Sequence, residues 1–229
     1  MDIVFSKSEV FIKKSVASEG GHGVYYFNTR NSSRNDLSEI IDEIGHDFVV
    51  QEALTQSQTI AQINPSSINT IRVLTLLRKD GTVKNYSTVL RMGRNGSKVD
   101  NASSGGITCG VNPDGSLKGV AYTADGDKFT EHPDTKIKFS DIVIPNYAQI
   151  IETVKRLHPL LPMFRLLSWD IALNKDNEPI LIEVNMKYGE LDFHQLNNGP
   201  IFGDDTLEIL EEVFHNSKDQ RATRLQLTV

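Results

Sequence analysis

The chain of 229 residues contains a single cysteine, Cys109. One thiol excludes an intrachain disulfide framework and a CxxC-type zinc site. Long apolar runs are also missing, and nothing approaches the roughly 18 residues that a membrane helix needs. The opening MDIVFSKSEV lacks the apolar stretch of a secretory signal. There is no excess of basic charge: 24 Lys and Arg stand against 30 Asp and Glu, a formal net charge of −6. That weighs against nucleic acid as the main partner, although a local basic pocket stays compatible with it. Internal repeats, low-complexity segments, HExxH and GxSxG are absent. His22, His46, His132, His158, His194 and His215 are scattered and read as structural or exposed. Cys109 lies in an apolar strand and reads as core. These absences lead to the expectation of a cytoplasmic chain with no membrane span.

What is present is an ordinary globular balance, 38% hydrophobic and 24% charged. The length suits one large domain or two small lobes. Strands are predicted over 9–13 and 24–27, flanking a Gly-rich stretch. A helix follows, capped by Asp36 with Glu39 as its box partner, carrying Leu37, Ile40, Ile41 and Ile44 and stopping at Gly45. A short strand over 48–50 runs into Gln51 and Glu52. Three hairpins are predicted: 69–79 with 83–92, 107–111 with 117–122, and 166–173 with 179–185. Residues 123–140 read as a long loop. Pro145 opens a helix with Tyr147, Ile150, Ile151, Val154 and Leu157 on one face. A last helix, capped near Asp205 with Glu208 as box partner, presents Leu207, Leu210, Val213 and Phe214 as its stripe. Helices mixed with hairpins indicate an α+β fold with antiparallel sheets.

The third hairpin is the most informative. With residues 175–178 as the turn, Asn174 pairs with Pro179 and Asp170 falls opposite Glu183. Alternation puts Asn185 on the same face as Glu183. Facing carboxylates repel unless a cation lies between them, and an all-oxygen set suits Mg²⁺. Solvated polar residues on an open sheet face would give the same pattern. The stretch Ser18-Glu19-Gly20-Gly21-His22-Gly23 can present backbone N–H groups to a phosphate, with Lys13 or Lys14 beside it, or be a flexible turn. Arg72 and Arg91 on one hairpin can clamp a phosphate or carboxylate, or simply pair with the surplus acids.

Taken in order, these features resemble the ATP-grasp superfamily: a lysine strand, a Gly-rich loop, Gln-Glu after a buried strand, an arginine hairpin, a Gly-Gly loop, and Asp…Glu-x-Asn on a last hairpin. The segments Asn64-Pro65-Ser66-Ser67-Ile68-Asn69-Thr70-Ile71-Arg72-Val73 and Val99-Asp100-Asn101…Gly105-Gly106-Ile107 resemble its sugar-transfer-associated, or teichuronopeptide-biosynthesis-like, branch. The ribosomal-protein glutamate ligases are similar more distantly. The resemblance runs from about residue 10 to 200.

It implies an ATP-grasp fold, two lobes with antiparallel sheets sandwiching the nucleotide: 1–52 as the N-terminal lobe, 53–215 as the C-terminal lobe, and 216–229 as a polar tail. It implies ATP and Mg²⁺ as cofactors, two ions, with Mn²⁺ able to substitute. Lys13, with Lys14 as the alternative, matches the phosphate lysine. Ser18, Gly20, Gly21 and Gly23 match the phosphate loop, and Gln51 and Glu52 the adenine–ribose hinge. Arg72 and Arg91 match catalytic, phosphate-side arginines; Asn101, Gly105 and Gly106 fall in the substrate loop; Asp170, Glu183 and Asn185 match the metal triad. The implied activity is carboxylate–amine ligation through an acylphosphate, on small or polymer-linked acid and amine substrates, in surface polysaccharide or envelope polymer synthesis. A kinase acting on a hydroxyl and a non-catalytic nucleotide-binding module are the alternatives. Two departures stand out. Gln56-Ser57 occupy the place where the branch usually has a histidine. Few residues precede the lysine strand, so the chain reads as a fragment, a minimal form or one half of an assembly, and another chain or a longer natural protein could supply the usual N-terminal domain. Asp170→Asn is expected to weaken Mg²⁺ dependence and leave the fold intact.

Overall fold

The computed structural model describes residues 2–14, 23–97, 99–101, 105–187 and 189–214. The chain divides into two compact units, 1–55 and 56–229.

The first unit comprises α1 (Asp2–Phe5), β1 (Glu9–Lys14), β2 (Val24–Asn28), α2 (Arg34–Ile44) and β3 (Phe48–Glu52). Its three strands form an antiparallel sheet in the order β2-β1-β3. Strand alternation separates two faces. Val10, Ile12 and Phe27 turn inward and pack with Val4 of α1 and with Leu37 and Ile44 of α2. Phe11, Lys13, Tyr26 and Gln51 share the opposite face. The cap of α2 differs from the sequence reading. Ser33 is the N-cap, its hydroxyl accepting from the Asp36 N–H while Asp36 accepts from the Ser33 N–H at 2.6 Å. Asp36 is thus the box partner, and the helix starts one turn earlier than its apolar stripe suggests.

The second unit holds α3 (Gln58–Ala61), β4 (Ile71–Leu77), β5 (Val83–Met92), β6 (Ile107–Val111), β7 (Leu117–Tyr122), β8 (Lys128–Phe129), α4 (Tyr147–Leu157), β9 (Leu166–Leu173), β10 (Pro179–Asn185) and α5 (Leu191–Asn198). A further helix covers 206–214. Seven strands make one antiparallel sheet in the order β10-β9-β4-β5-β6-β7-β8. One face carries Ile71, Val73, Leu90, Met92, Trp169 and Ile171, and packs against Ile150 and Val154 of α4. Each such buried side chain contributes about 1.5–3 kcal/mol. Cys109 belongs to this core, where burial pushes its thiol up to about 12. The chain is thus mixed α and β with antiparallel sheets. No helix among the described residues is long and apolar enough to cross a membrane.

The third hairpin is offset from the sequence reading. Pro179 pairs with Leu173 rather than Asn174, which shifts the first rungs by one. A bulge between Leu181 and Glu183 then restores the pairing, so Asp170 does face Glu183. The stripe on helix 206–214 is a correction. Leu207, Leu210, Val213 and Phe214 are exposed, while Ile209 and Glu212 turn inward. Charge, not an apolar stripe, docks this segment: Glu212 pairs with Arg165, and Asp205 accepts from Lys84 at 2.5 Å and from the Tyr86 hydroxyl at 2.7 Å. Within 123–140, β8 and a short 3-10 turn at Phe139–Asp141 interrupt the loop. Pro145 lies two residues before α4, whose N-cap is Asn146.

Candidate active site

The sheet face opposite the α4 core carries the charged residues. Pairing puts Glu183, Asp170 and Arg72 side by side on three adjacent strands. Arg72 grips Asp170 through both Nε and Nη2. Its Nη1 donates to Glu190, and Nη2 lies 3.8 Å from Glu183. Arg91 donates to Asp170 at 2.8 Å and to Asn101 Oδ1 at 2.6 Å, with Asp100 at 3.5 Å. Asp100 in turn accepts from the Thr70 N–H at 3.1 Å and from the Thr70 hydroxyl. Two guanidiniums therefore face four carboxylates. Arg72, Arg91, Asp100 and Asp170 are buried, whereas Glu183 and Glu190 are about half exposed, at 57% and 46% of their side chains.

Burial alone would raise the Asp170 carboxyl, but hydrogen bonds from Arg72 and the charges of Arg91 and Arg72 outweigh it and hold it below the usual range. Glu183 moves the other way, raised first by partial burial and then by hydrogen bonding and repulsion from Asp170. At Arg72, burial opposes the charge, and Asp170, Glu190 and Glu183 together outweigh burial.

These residues fit a hard cation. The acidic surplus sits at the open edge, and Glu183 carries a charge its surroundings disfavour, which a bound cation would reverse. Glu183 and Asn185 share the face with Asp170, and the Asn185 amide donates to Glu183 at 3.2 Å. Asp170 Oδ2 accepts from both Arg72 and Arg91, whereas Oδ1 accepts from Arg72 alone and so keeps a lone pair for a cation. Among the described residues, no group of three or more His, Cys, Asp or Glu side chains is arranged to hold a metal. Two carboxylates and an amide would leave coordination positions for phosphate or water oxygens, as Mg²⁺ usually has.

The three residues of the expected substrate loop lie in different surroundings. Asn101 joins the cluster through Arg91. Gly106 serves packing: a Cβ there would lie 2.5 Å from the Asp100 carbonyl oxygen, so a side chain would push the loop off Asp100. The Gly105 carbonyl accepts from Arg94 Nε at 2.5 Å. Residues 102–104 lie outside the described residues.

In the first unit, Lys13 and Gln51 share the face that bears Phe11 and Tyr26, whose rings lie 5.6 Å apart. Glu52 pairs with Val10, so it turns to the opposite side, where Lys7 binds it at 2.7 Å. Lys14 likewise alternates away from Lys13, and its N–H donates to the Gly23 carbonyl at 3.1 Å. Ser18, Gly20 and Gly21 lie outside the described residues.

Sequence reasoning missed α5 and what it brings. This helix crosses the charged face, with Phe193 over the Arg72 guanidinium at 5.6 Å. Polar contacts dock it: His194 Nδ1 with the Ser87 hydroxyl at 2.7 Å, and Asn197 to Thr108 at 2.7 Å. Burial, aided by Arg72's charge, pushes His194 down to about 3, so it is neutral. Since the unfolded chain takes up this proton near pH 6.5, stability is complete above that pH. Below it, the unfolded chain binds a proton that the folded chain refuses, so stability is expected to fall as the pH drops towards about 3. Melting temperature measured from pH 7 to 4 should fall, and less steeply in His194→Asn. An identical slope in that variant would rule out this role.

The ordering of these residues on two antiparallel sheets agrees with one family. The chain belongs to the sugar-transfer associated ATP-grasp family, whose profile matches residues 1–208. Solved structures similar to it include N5-carboxyaminoimidazole synthetase from Staphylococcus aureus complexed with ADP, at 10% identity and a TM-score of 0.48, covering 86% of this chain and 43% of that one. D-alanyl-alanine synthetase A from Vibrio cholerae matches at 11% identity and a TM-score of 0.48, covering 86% and 50%. An L-amino acid ligase from Bacillus licheniformis matches at 14% and 0.45, covering 85% and 39%. The chain thus spans half or less of the length of each. No curated protein sequence matches it.

Proposed function

We propose that the chain is an ATP- and Mg²⁺-dependent carboxylate–amine ligase. The observation that carries this reading is the single sheet face on which Asp170, Glu183 and Asn185 meet Arg72 and Arg91. An acid substrate's carboxylate oxygen attacks the γ-phosphorus of ATP, the bond to the β-phosphate oxygen breaks, and ADP leaves. An amine nitrogen then attacks the acyl carbon, the carbon–oxygen bond breaks, inorganic phosphate leaves, and the amine gives up a proton. Neither step needs a side-chain nucleophile, which fits a site built of guanidiniums, carboxylates and amides. Arg72 and Arg91 hold and neutralise the transferring group. Mg²⁺, when bound by Asp170, Glu183 and Asn185, would neutralise charge on the phosphate oxygens. The family's description as sugar-transfer associated supports a link to sugar transfer, and within that link we propose surface polysaccharide or envelope polymer synthesis.

Lys13 and Gln51 are assigned to the nucleotide, on the aromatic face they share with Phe11 and Tyr26. Lys13→Ala is expected to weaken MgATP binding by about tenfold or more, and Lys14→Ala by about twofold at most. Equal losses in calorimetric titrations would remove the assignment. The reaction class is tested by incubating the chain with ATP, Mg²⁺, a panel of carboxylates and hydroxylamine as the amine. A hydroxamate product is expected. A phosphoester formed from a hydroxyl substrate, with no hydroxamate from any acid, would make the chain a kinase instead.

A further inference from the structure

Arg72 presents two edges to its surroundings. The Nε–Nη2 edge is locked by Asp170, which is 3% exposed and also tied to Arg91. The Nη1 edge is closed by Glu190. That residue differs from Asp170 in three ways. Its side chain is about half exposed, so the pair is weakly held. Its backbone has φ 50°, a left-handed conformation that non-glycine residues rarely hold. It stands at the N-cap position of α5 but caps nothing, so its carboxylate is committed to Arg72 and not to the helix.

We propose that Glu190 is a gate on Arg72. Its carboxylate occupies the Nη1 edge, and a phosphoryl group reaches that edge only by displacing it. The proposal rests on the reading of Arg72 as the arginine that holds the transferring phosphate. A planar guanidinium edge accepts a carboxylate or a phosphate in the same manner, so the two compete for it. Asp170 is too deeply held to be the group that yields. Glu183 approaches Nη2 and not Nη1, and at 3.8 Å it is too far for a hydrogen bond even there. Glu190 therefore sets the threshold for anion binding, and the chain keeps Arg72 covered until a phosphoryl group of sufficient charge arrives.

The sign of the effect decides the matter. Orthophosphate, and separately MgATP, would be titrated calorimetrically into the wild-type chain, Glu190→Gln and Glu190→Gly. Glutamine removes the charge and keeps the shape. Glycine removes both and suits the left-handed backbone, which secures folding. Melting temperatures accompany each variant. Both substitutions are expected to tighten orthophosphate by about tenfold, since one negative charge beside the bound dianion is gone. Tightening of MgATP as well would assign the subsite to the nucleotide's own phosphate, and tightening of orthophosphate alone to phosphate that is not part of the nucleotide. Unchanged or weaker orthophosphate binding in both variants would overturn the gate, a loss being what a structural or metal-binding Glu190 produces. Failure of the wild-type chain to bind MgATP would instead count against the nucleotide reading, and the orthophosphate comparison would still decide the gate.

Discussion

Replacing Asp170 by asparagine is expected to destabilise the chain by about 3–5 kcal/mol, the cost of leaving buried charges without their counter-ion. The sequence reading expected the fold to survive this change unharmed, because it treated Asp170 as an open-face metal ligand. The structure corrects that. Asp170 accepts from both Arg72 and Arg91, and all three residues are nearly inaccessible, at 3%, 3% and 4% exposure. An asparagine keeps the shape and one acceptor oxygen but presents an amide to one of two guanidiniums that both need acceptors. Metal binding should be lost as well. Glu183→Gln provides the comparison: its side chain is 57% exposed, so it should weaken Mg²⁺-dependent binding with a much smaller loss of stability. Denaturant melts of both variants test this. An Asp170→Asn protein as stable as the wild type would show that the arginines do not depend on it.

Arg72→Ala should lower turnover by about 10²–10³, as removal of a charge-stabilising donor does. It also strips Asp170 of its bidentate partner and leaves Glu190 unpaired, so the melting temperature should fall too. Arg72→Lys separates the two effects. Lysine restores the charge beside Asp170 but not the planar fork, so stability should recover more than turnover. Assays should be run well below each variant's melting temperature. Turnover within a factor of about two of the wild type in folded Arg72→Ala would remove Arg72 from the transfer step.

Much of the fold was legible because the local signals were strong. Asp-Gly and Asn-Pro-Asp-Gly turns between alternating apolar runs gave the hairpins, and Gly45 gave the end of α2. Other features depend on contacts no local pattern carries. The bulge between Leu181 and Glu183 falls in an apolar run without glycine, so nothing marks it; the expected Asp170–Glu183 pairing came out right because an offset turn and this bulge cancel. The pairing of β4 with β9, which brings Arg72 to Asp170, joins segments 98 residues apart. Helix α5 escaped notice because its hold on the sheet is polar, through His194, Asn197 and Asn198, and leaves no apolar stripe to read. Its C-cap at Gly199 after Asn197-Asn198 was the one available signal. With α5 went Glu190, whose part in the site is visible only through its contact with Arg72. Strand parity in the β1–β3 register puts Lys13 and Gln51 on one face and Lys14 and Glu52 on the other, and the proposal of Lys13 and Gln51 for the nucleotide rests on that separation.

The most direct test of the nucleotide reading is calorimetric titration of ATP into the wild-type chain with and without Mg²⁺. Binding that requires Mg²⁺, and that Glu183→Gln and Lys13→Ala each abolish or weaken by at least about tenfold, is the expected result. A well-folded chain that binds no ATP under either condition, or binds it equally with and without Mg²⁺, would contradict the assignment of Asp170, Glu183 and Asn185 to a metal-assisted nucleotide site.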